Sequence, residues 1–265
     1  MNAHAVRGRF AGQVALVTGA ASGIGEAIVR QLCAEGAMVC AAGLQPELLA
    51  ALARDCGATA APCNVTDDAA VRAVVGAVLQ AHKRLDILIN AAGVIHNDDA
   101  ADIDDAHWQR MLDVNLSGSM RTCRAALPAM CSQRRGAVVN IASVAAFNAG
   151  AGMASYAASK AGLVAFTRSI ANRYGAEGIR ANCLAPGWVR TPMSEAEMRS
   201  AAAAEGVSVD AAFASLAGRI ALGRVGTAAE MAECALFLAS DAAAFVTGVV
   251  LVADGGARTP AAARA

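Results

Sequence analysis

The chain holds only two tyrosines and two lysines, and one of each stands four residues apart, in Tyr156-Ala157-Ala158-Ser159-Lys160. Residues at i and i+4 share a helix face, so this spacing sets an ammonium beside a phenol. A free phenol titrates near about pH 10, too high for a base at neutral pH. A cation about 5 Å away, at an effective dielectric of about 20, favours the phenolate by roughly 3 kcal/mol, or about two pKa units. The pair is therefore expected to act as a general acid–base near neutral pH. As an ordinary surface pair it would do nothing, and the scarcity of both residue types weighs against that reading.

A second pattern bears on phosphate. Thr18-Gly19-Ala20-Ala21-Ser22-Gly23-Ile24-Gly25 follows a strand-like run and opens a helix-like one. Glycines let backbone turn sharply and approach a pyrophosphate, while a helix N-terminus offers free N–H groups and a positive dipole end. Glycine-rich turns also occur without ligands, so the placement after the first strand carries the weight. No Gly-Lys dipeptide occurs, which removes the Walker loop of an ATPase, and neither G-x-S-x-G nor H-E-x-x-H is present.

Strand-like apolar runs fall at Val14–Thr18, Met38–Ala42, Ala58–Cys63, Asp86–Asn90, Ala137–Ala142, Arg180–Ala185 and Val249–Ala253. Helix-length segments lie between them, at Ile24–Glu35, Pro46–Asp55, Asp67–Ala81, Asn115–Cys131, Ser155–Tyr174 and Thr227–Leu238. Such alternation predicts an α/β fold: one domain over residues 1–265, a doubly wound parallel sheet of the Rossmann type with helices on both faces. The stretch Thr191–Gly223 stands outside the alternation and is expected to be a substrate-loop insertion at the carboxyl ends of the strands.

Taken together, the motifs resemble the short-chain dehydrogenase/reductase family. The set includes the T-G-x-x-x-G-x-G loop, Asn90-Ala91-Ala92-Gly93 and Asp113-Val114-Asn115-Leu116. It continues through Ser143, thirteen residues before Tyr156, then Lys160, Pro186-Gly187, Thr191 and Asp254-Gly255-Gly256. The likeness runs from about Gly12 to Gly256. It implies a hydride-transferring oxidoreductase that interconverts a secondary alcohol and a ketone with a nicotinamide cofactor.

It also implies roles. Tyr156 would exchange the proton with the substrate oxygen, and Lys160 would lower the phenol's pKa and hold the nicotinamide ribose. Ser143 would orient the carbonyl oxygen. Asn115 would interrupt its helix and hold a water leading from Lys160 to solvent. Gly19, Ser22, Gly23, Ile24 and Gly25 would wrap the phosphates and adenosine ribose. Asn90, Ala91 and Gly93 would line the cofactor, with Asn90 also tying the central strands. Pro186, Gly187 and Val189 by backbone, and Thr191 by its hydroxyl, would hold the carboxamide. Read alone, Asn115 could be a helix N-cap, Asn90 a strand-end cap and Ser143 a turn residue.

The sequence departs from the family at cofactor choice. The second strand lacks the aspartate that would bond a ribose 2′-hydroxyl, having Gly43, Leu44 and Gln45 instead. No cation stands there for a 2′-phosphate, and Ser22 occupies the loop position where NADP enzymes often carry one. Asn64, beside Val65, replaces another expected aspartate and would meet the adenine. NAD is the expected cofactor, with NADP not excluded. Phe147, Met153, Trp188 and Met193, with His96 as a polar contact, could line an apolar substrate pocket.

Composition sets the bounds. Twenty-two Lys plus Arg against 22 Asp plus Glu gives no electrostatic reason to expect nucleic acid or an anionic membrane. No apolar run reaches membrane-spanning length, and Met1–Phe10, despite Arg7 and Arg9, has no signal-peptide core. The eight cysteines stand singly, without metal-ligand spacing, as core filler. A cytoplasmic homotetramer with a small-molecule alcohol or ketone substrate and no metal is expected. Two alternatives remain open: a non-catalytic nucleotide-binding relative, and a 3-oxoacyl carrier-protein reductase docking through Arg124, Arg134, Arg135, Arg168 and Arg173.

Overall fold

In the computed structural model the described residues are 8–257; Arg7 and the ends of the 1–265 span lie outside them. The first strand, β1 (Val14–Thr18), is buried along its whole length. Its side chains alternate between two cores. Ala15 and Val17 pack with Ile28, Val29, Leu32 and Leu236 on one face. Val14 and Leu16 pack with Val71, Val75, Leu127, Met130 and Ile170 on the other. A strand buried on both faces must be apolar throughout, which is why β1 reads as a continuous run.

The elements follow as α1 (Gly23–Ala34), β2 (Met38–Gly43), α2 (Pro46–Cys56), β3 (Thr59–Pro62), α3 (Asp68–His82) and β4 (Ile87–Asn90). Then come α4 (Asp105–Leu112), a π-helical turn (Asp113–Ser117), α5 (Gly118–Gln133), β5 (Gly136–Ile141), α6 (Ala154–Tyr174) and β6 (Ile179–Pro186). The chain continues with β7 (Val189–Arg190), α7 (Pro192–Glu205), α8 (Val209–Ala217), β8 (Gly226–Thr227), α9 (Ala228–Ala239) and β9 (Val250–Ala253). The main sheet has the order β3-β2-β1-β4-β5-β6-β9, and its paired strands are parallel. The order reverses between β1 and β4, the place where a doubly wound sheet opens a crevice.

One expectation needs correction. The helix expected to start at Asn115 begins ten residues earlier, at Asp105, with Asp104 capping Ala106 N–H at 2.8 Å. Only Met111 of α4 is buried, so the segment shows little apolar period. The Thr191–Gly223 stretch is two helices, α7 and α8, standing between β7 and β8.

Candidate active site

The carboxyl ends of β1, β2, β4, β5 and β6 open into one cleft of about 1250 Å³. Its floor begins with the turn after β1. Gly19 has φ +66°, and a Cβ there would come within 2.5 Å of the Ala92 backbone nitrogen. A Cβ at Gly25 would overlap the Gly19 carbonyl oxygen. Glycine is thus required where the loop presses on the strand-end of β4 and on its own helix. Ser22 stands at the N-cap of α1 but its hydroxyl caps nothing, so the first-turn N–H groups remain available to an anion at the cleft. These features fit the pyrophosphate of a dinucleotide.

The cleft wall also carries Leu44, Asn64, Val65, Ala91, Gly93, Pro186, Gly187, Val189 and Thr191, all expected from sequence. Leu44 is 64 % exposed, and no Lys or Arg lines this end beside Gly43, Leu44 and Gln45. The Asn64 Oδ1 accepts from Thr66 N–H at 3.1 Å, keeping its second lone pair free. Thr191 caps α7 by accepting from Ser194 N–H at 3.3 Å, and its hydroxyl donates over a long 3.4 Å to Ser194 Oγ.

Asn90 ties the central strands as expected but departs from the expected place on the cleft wall. It does not line the cleft but lies beneath it, 2 % exposed. Its Nδ2 donates to Asn140 Oδ1 at 2.8 Å, and Thr122 Oγ1 donates to its Oδ1 at 2.6 Å. Asn140 Nδ2 then donates to Thr167 Oγ1 at 2.7 Å. Thr122, Asn140 and Thr167 thus tie α5, β4, β5 and α6 through one buried network. The sequence signal for Asn140 was a polar residue inside Val138-Val139-Asn140-Ile141.

The reacting groups converge at the ends of β5 and α6. Tyr156 and Lys160 are 9 % and 4 % exposed, and the ammonium lies 5.7 Å from the tyrosine ring centre. Lys160 Nζ donates to the Ile141 carbonyl oxygen at 2.9 Å. Burial lowers the lysine pKa to about 8. Burial also pushes the Tyr156 phenol up, opposed by hydrogen bonding from the Ser143 hydroxyl and reinforced by the Glu197 carboxylate. The lowering expected from Lys160 is therefore not met, because the phenol's own desolvation is the largest influence on it. Ser143 also behaves as a turn residue, its Oγ accepting from Ala145 N–H at 3.1 Å.

Asn115 is fully buried in the π turn rather than at a helix N-cap. Its Oδ1 accepts from Val94 N–H at 2.8 Å, and its Nδ2 donates to Val94 O at 2.9 Å and Ser159 Oγ at 3.1 Å. A π turn disrupts the regular ladder and often marks a functional position. A Cβ on Gly93 would meet Asn115 Oδ1 at 3.3 Å and Lys160 Nζ at 3.5 Å, so the three residues enclose one small space.

Of the expected substrate contacts, Met153, Trp188 and Met193 line the cleft. Phe147 does not; it is 46 % exposed after the turn that follows β5. His96 instead stacks on His107, with centroids 4.4 Å apart, beside a smaller neighbouring pocket. Sequence reasoning missed Arg110, Glu197 and Arg219, which do line the cleft. Nothing in their spacing marks them. Asp254 is structural, its Oδ1 accepting from Gly256 N–H at 3.0 Å.

The eight thiols are free, and no metal-ligating cluster occurs among the described residues. No described helix is long and apolar enough to cross a membrane. The arginines considered for carrier docking are mostly engaged: Arg124 with Asp68, Arg135 with Asp241, Arg173 with Glu177, and Arg134 with the Ala176 carbonyl.

Residues 19–258 match the family described as enoyl-(acyl carrier protein) reductase. A 3-oxoacyl-[acyl-carrier-protein] reductase FabG of Thermotoga maritima is 36% identical over 253 residues, 94% of this chain and 98% of that protein. An oxidoreductase UcpA of Escherichia coli O157:H7 is 36% identical over 258 residues, 96% and 97% of the two chains. A solved structure described as a short-chain dehydrogenase/reductase from Burkholderia xenovorans superposes with TM-score 0.87 at 37% identity, covering 95% and 98% of the two chains.

Proposed function

The chain belongs to the short-chain dehydrogenase/reductase family of nicotinamide-dependent oxidoreductases, and from that premise we propose a secondary-alcohol dehydrogenase or ketoreductase using NAD(H). The observation that carries the reading is the convergence of Ser143, Tyr156 and Lys160 on the wall of the glycine-turn cleft.

When bound, the nicotinamide supplies or takes up the hydride. Gly19, Ser22, Gly23, Ile24 and Gly25 would hold its phosphates, and Pro186, Gly187, Val189 and Thr191 its carboxamide end. In the reducing direction the Ser143 hydroxyl donates to the carbonyl oxygen and orients it. The Tyr156 O–H then transfers its proton to that oxygen as negative charge develops there. Lys160, held by Ile141, places positive charge beside the phenolate left behind. Asn115, locked to Val94 and Ser159, keeps the space beside Lys160 through which the proton is restored. The helices α7 and α8, in the 191–223 insertion, cover the substrate side of the cleft.

The Leu44 end offers a ribose hydroxyl backbone and the Gln45 amide, but no cation for a phosphate, which supports NAD over NADP. Eight free thiols suit a cytoplasmic protein. A second reading, a 3-oxoacyl carrier-protein reductase, is favoured by the names of relatives at 36% identity. The ion-paired arginines and the missing 2′-phosphate partner count against it. The test is nicotinamide absorbance against ketones, secondary alcohols and a 3-oxoacyl thioester. Consumption of NADH by simple ketones supports the proposal. Turnover of the thioester alone favours the second reading, and no turnover with either cofactor removes both.

A further inference from the structure

The substrate side of the cleft contains a carboxylate that the proton-transfer machinery does not use. Glu197 sits on α7 and lines the same cleft as Tyr156. It is half-buried, and burial raises its carboxyl pKa. Among the described residues it has no hydrogen-bond donor and no ion-pair partner. On the same helix, Glu195 is paired with Arg190 at 3.2 Å. Its charge reaches the Tyr156 phenol. The other charged residues facing the cleft differ. Asp113 is paired with Arg121 at 2.6 Å, and Lys160 is tied to Ile141. Neither Arg110 nor Arg219 is among the groups that bear on Tyr156.

A carboxylate on the wall of a cleft that Trp188, Met193 and Leu216 also line, with no donor of its own, has an unmet acceptor toward the cleft. The group that would relieve it is an O–H or N–H donor on the molecule the cleft receives. A neutral apolar chain leaves it unsatisfied, and a second carboxylate would be repelled. We infer that Glu197 is a specificity-determining residue, accepting a hydrogen bond from a hydroxyl or ammonium group carried by the substrate away from its reacting carbon. The substrate class is then a hydroxy- or amino-substituted ketone or the corresponding alcohol. This inference rests on the ketoreductase reading above and narrows it.

The experiment compares kcat/KM for hydroxy-2-alkanones, from hydroxyacetone upward in chain length, with 2-alkanones, amino-ketones and keto acids of matched length. The wild-type protein is expected to prefer the best hydroxy- or amino-ketone over its alkanone match by about tenfold or more, and to disfavour keto acids. Glu197→Leu should bring the ratio of hydroxy-ketone to alkanone close to one. Glu197→Gln, which keeps an acceptor but no charge, should retain part of the hydroxyl preference and lose the ammonium preference. A general defect in folding would lower all substrates together and leave the ratios unchanged. Turnover of alkanones with no preference, or a preference that survives Glu197→Leu, overturns the inference while leaving the ketoreductase reading intact. No turnover of any ketone with NADH or NADPH instead defeats the ketoreductase reading itself.

Discussion

Lys160 and Ile141 are joined by a hydrogen bond of 2.9 Å from ammonium to carbonyl, so the side chain of one helix is anchored to the end of a central strand. Ser143 follows that strand end, and Tyr156 lies one turn before Lys160 on the helix. One contact therefore fixes the strand-borne and helix-borne parts of the site relative to each other.

Tyr156→Phe removes only the transferable proton. Turnover should fall by about 10²–10⁴-fold or more, with dinucleotide affinity nearly intact. Steady-state kinetics and dinucleotide titration measure the two effects. A variant keeping a tenth of the rate would remove Tyr156 from proton transfer.

Lys160→Met should stabilise the fold while abolishing most activity. Burial holds the lysine at about 8 against an ordinary 10.5. As pH falls from 10.5 toward 8 the unfolded chain takes up a proton that the folded lysine does not. This group's contribution to stability falls through that window and is fully lost below it. The displacement corresponds to about 3 kcal/mol, so a gain of roughly 1–3 kcal/mol at pH 7 is expected, shrinking above pH 10. Urea unfolding at both pH values checks this, and a variant less stable at pH 7 would contradict it.

Asn140→Ala leaves the Asn90 amide and the Thr167 hydroxyl without their buried partner. The expected loss is about 1–3 kcal/mol, mainly the desolvation cost of the Asn90 amide, since Thr167 keeps its bonds to Leu163 and Cys183. Chemical denaturation measures it, and a loss below about 0.5 kcal/mol would show that the network relaxes freely.

With one alcohol and both cofactors, kcat/KM should favour NAD over NADP by about 10–150-fold, the worth of one absent cation contact. The reverse preference would mean that a basic group reaches Leu44 from elsewhere in the chain.

A homotetramer is expected in solution. β9 is an edge strand of the sheet, and Phe245, Phe237 and Val249 near it are exposed. Helices α5 and α6 would form the other contact. Light scattering at micromolar concentration gives the mass, and a monomer there defeats the expectation.

Local chemistry made much of this protein legible in its residues alone. Glycines 19 and 25 are obligatory because backbone passes too close for a side chain, and the Tyr156–Lys160 spacing follows from helical period. The continuous apolar runs of β1, β4 and β5 announce strands buried on both faces. Other features depend on packing between distant segments. Whether the phenol rises or falls depends on how deeply both groups are buried, which the four-residue spacing does not contain. Asn90 reads like a cofactor contact until Asn140 of the neighbouring strand and Thr122 of α5 engage its side chain. Asn115 lies in a π turn, and its partners Val94 and Ser159 come from distant segments. Glu197 has no mark in the sequence, since its unpaired position in the cleft exists only once α7 folds over the ends of the strands.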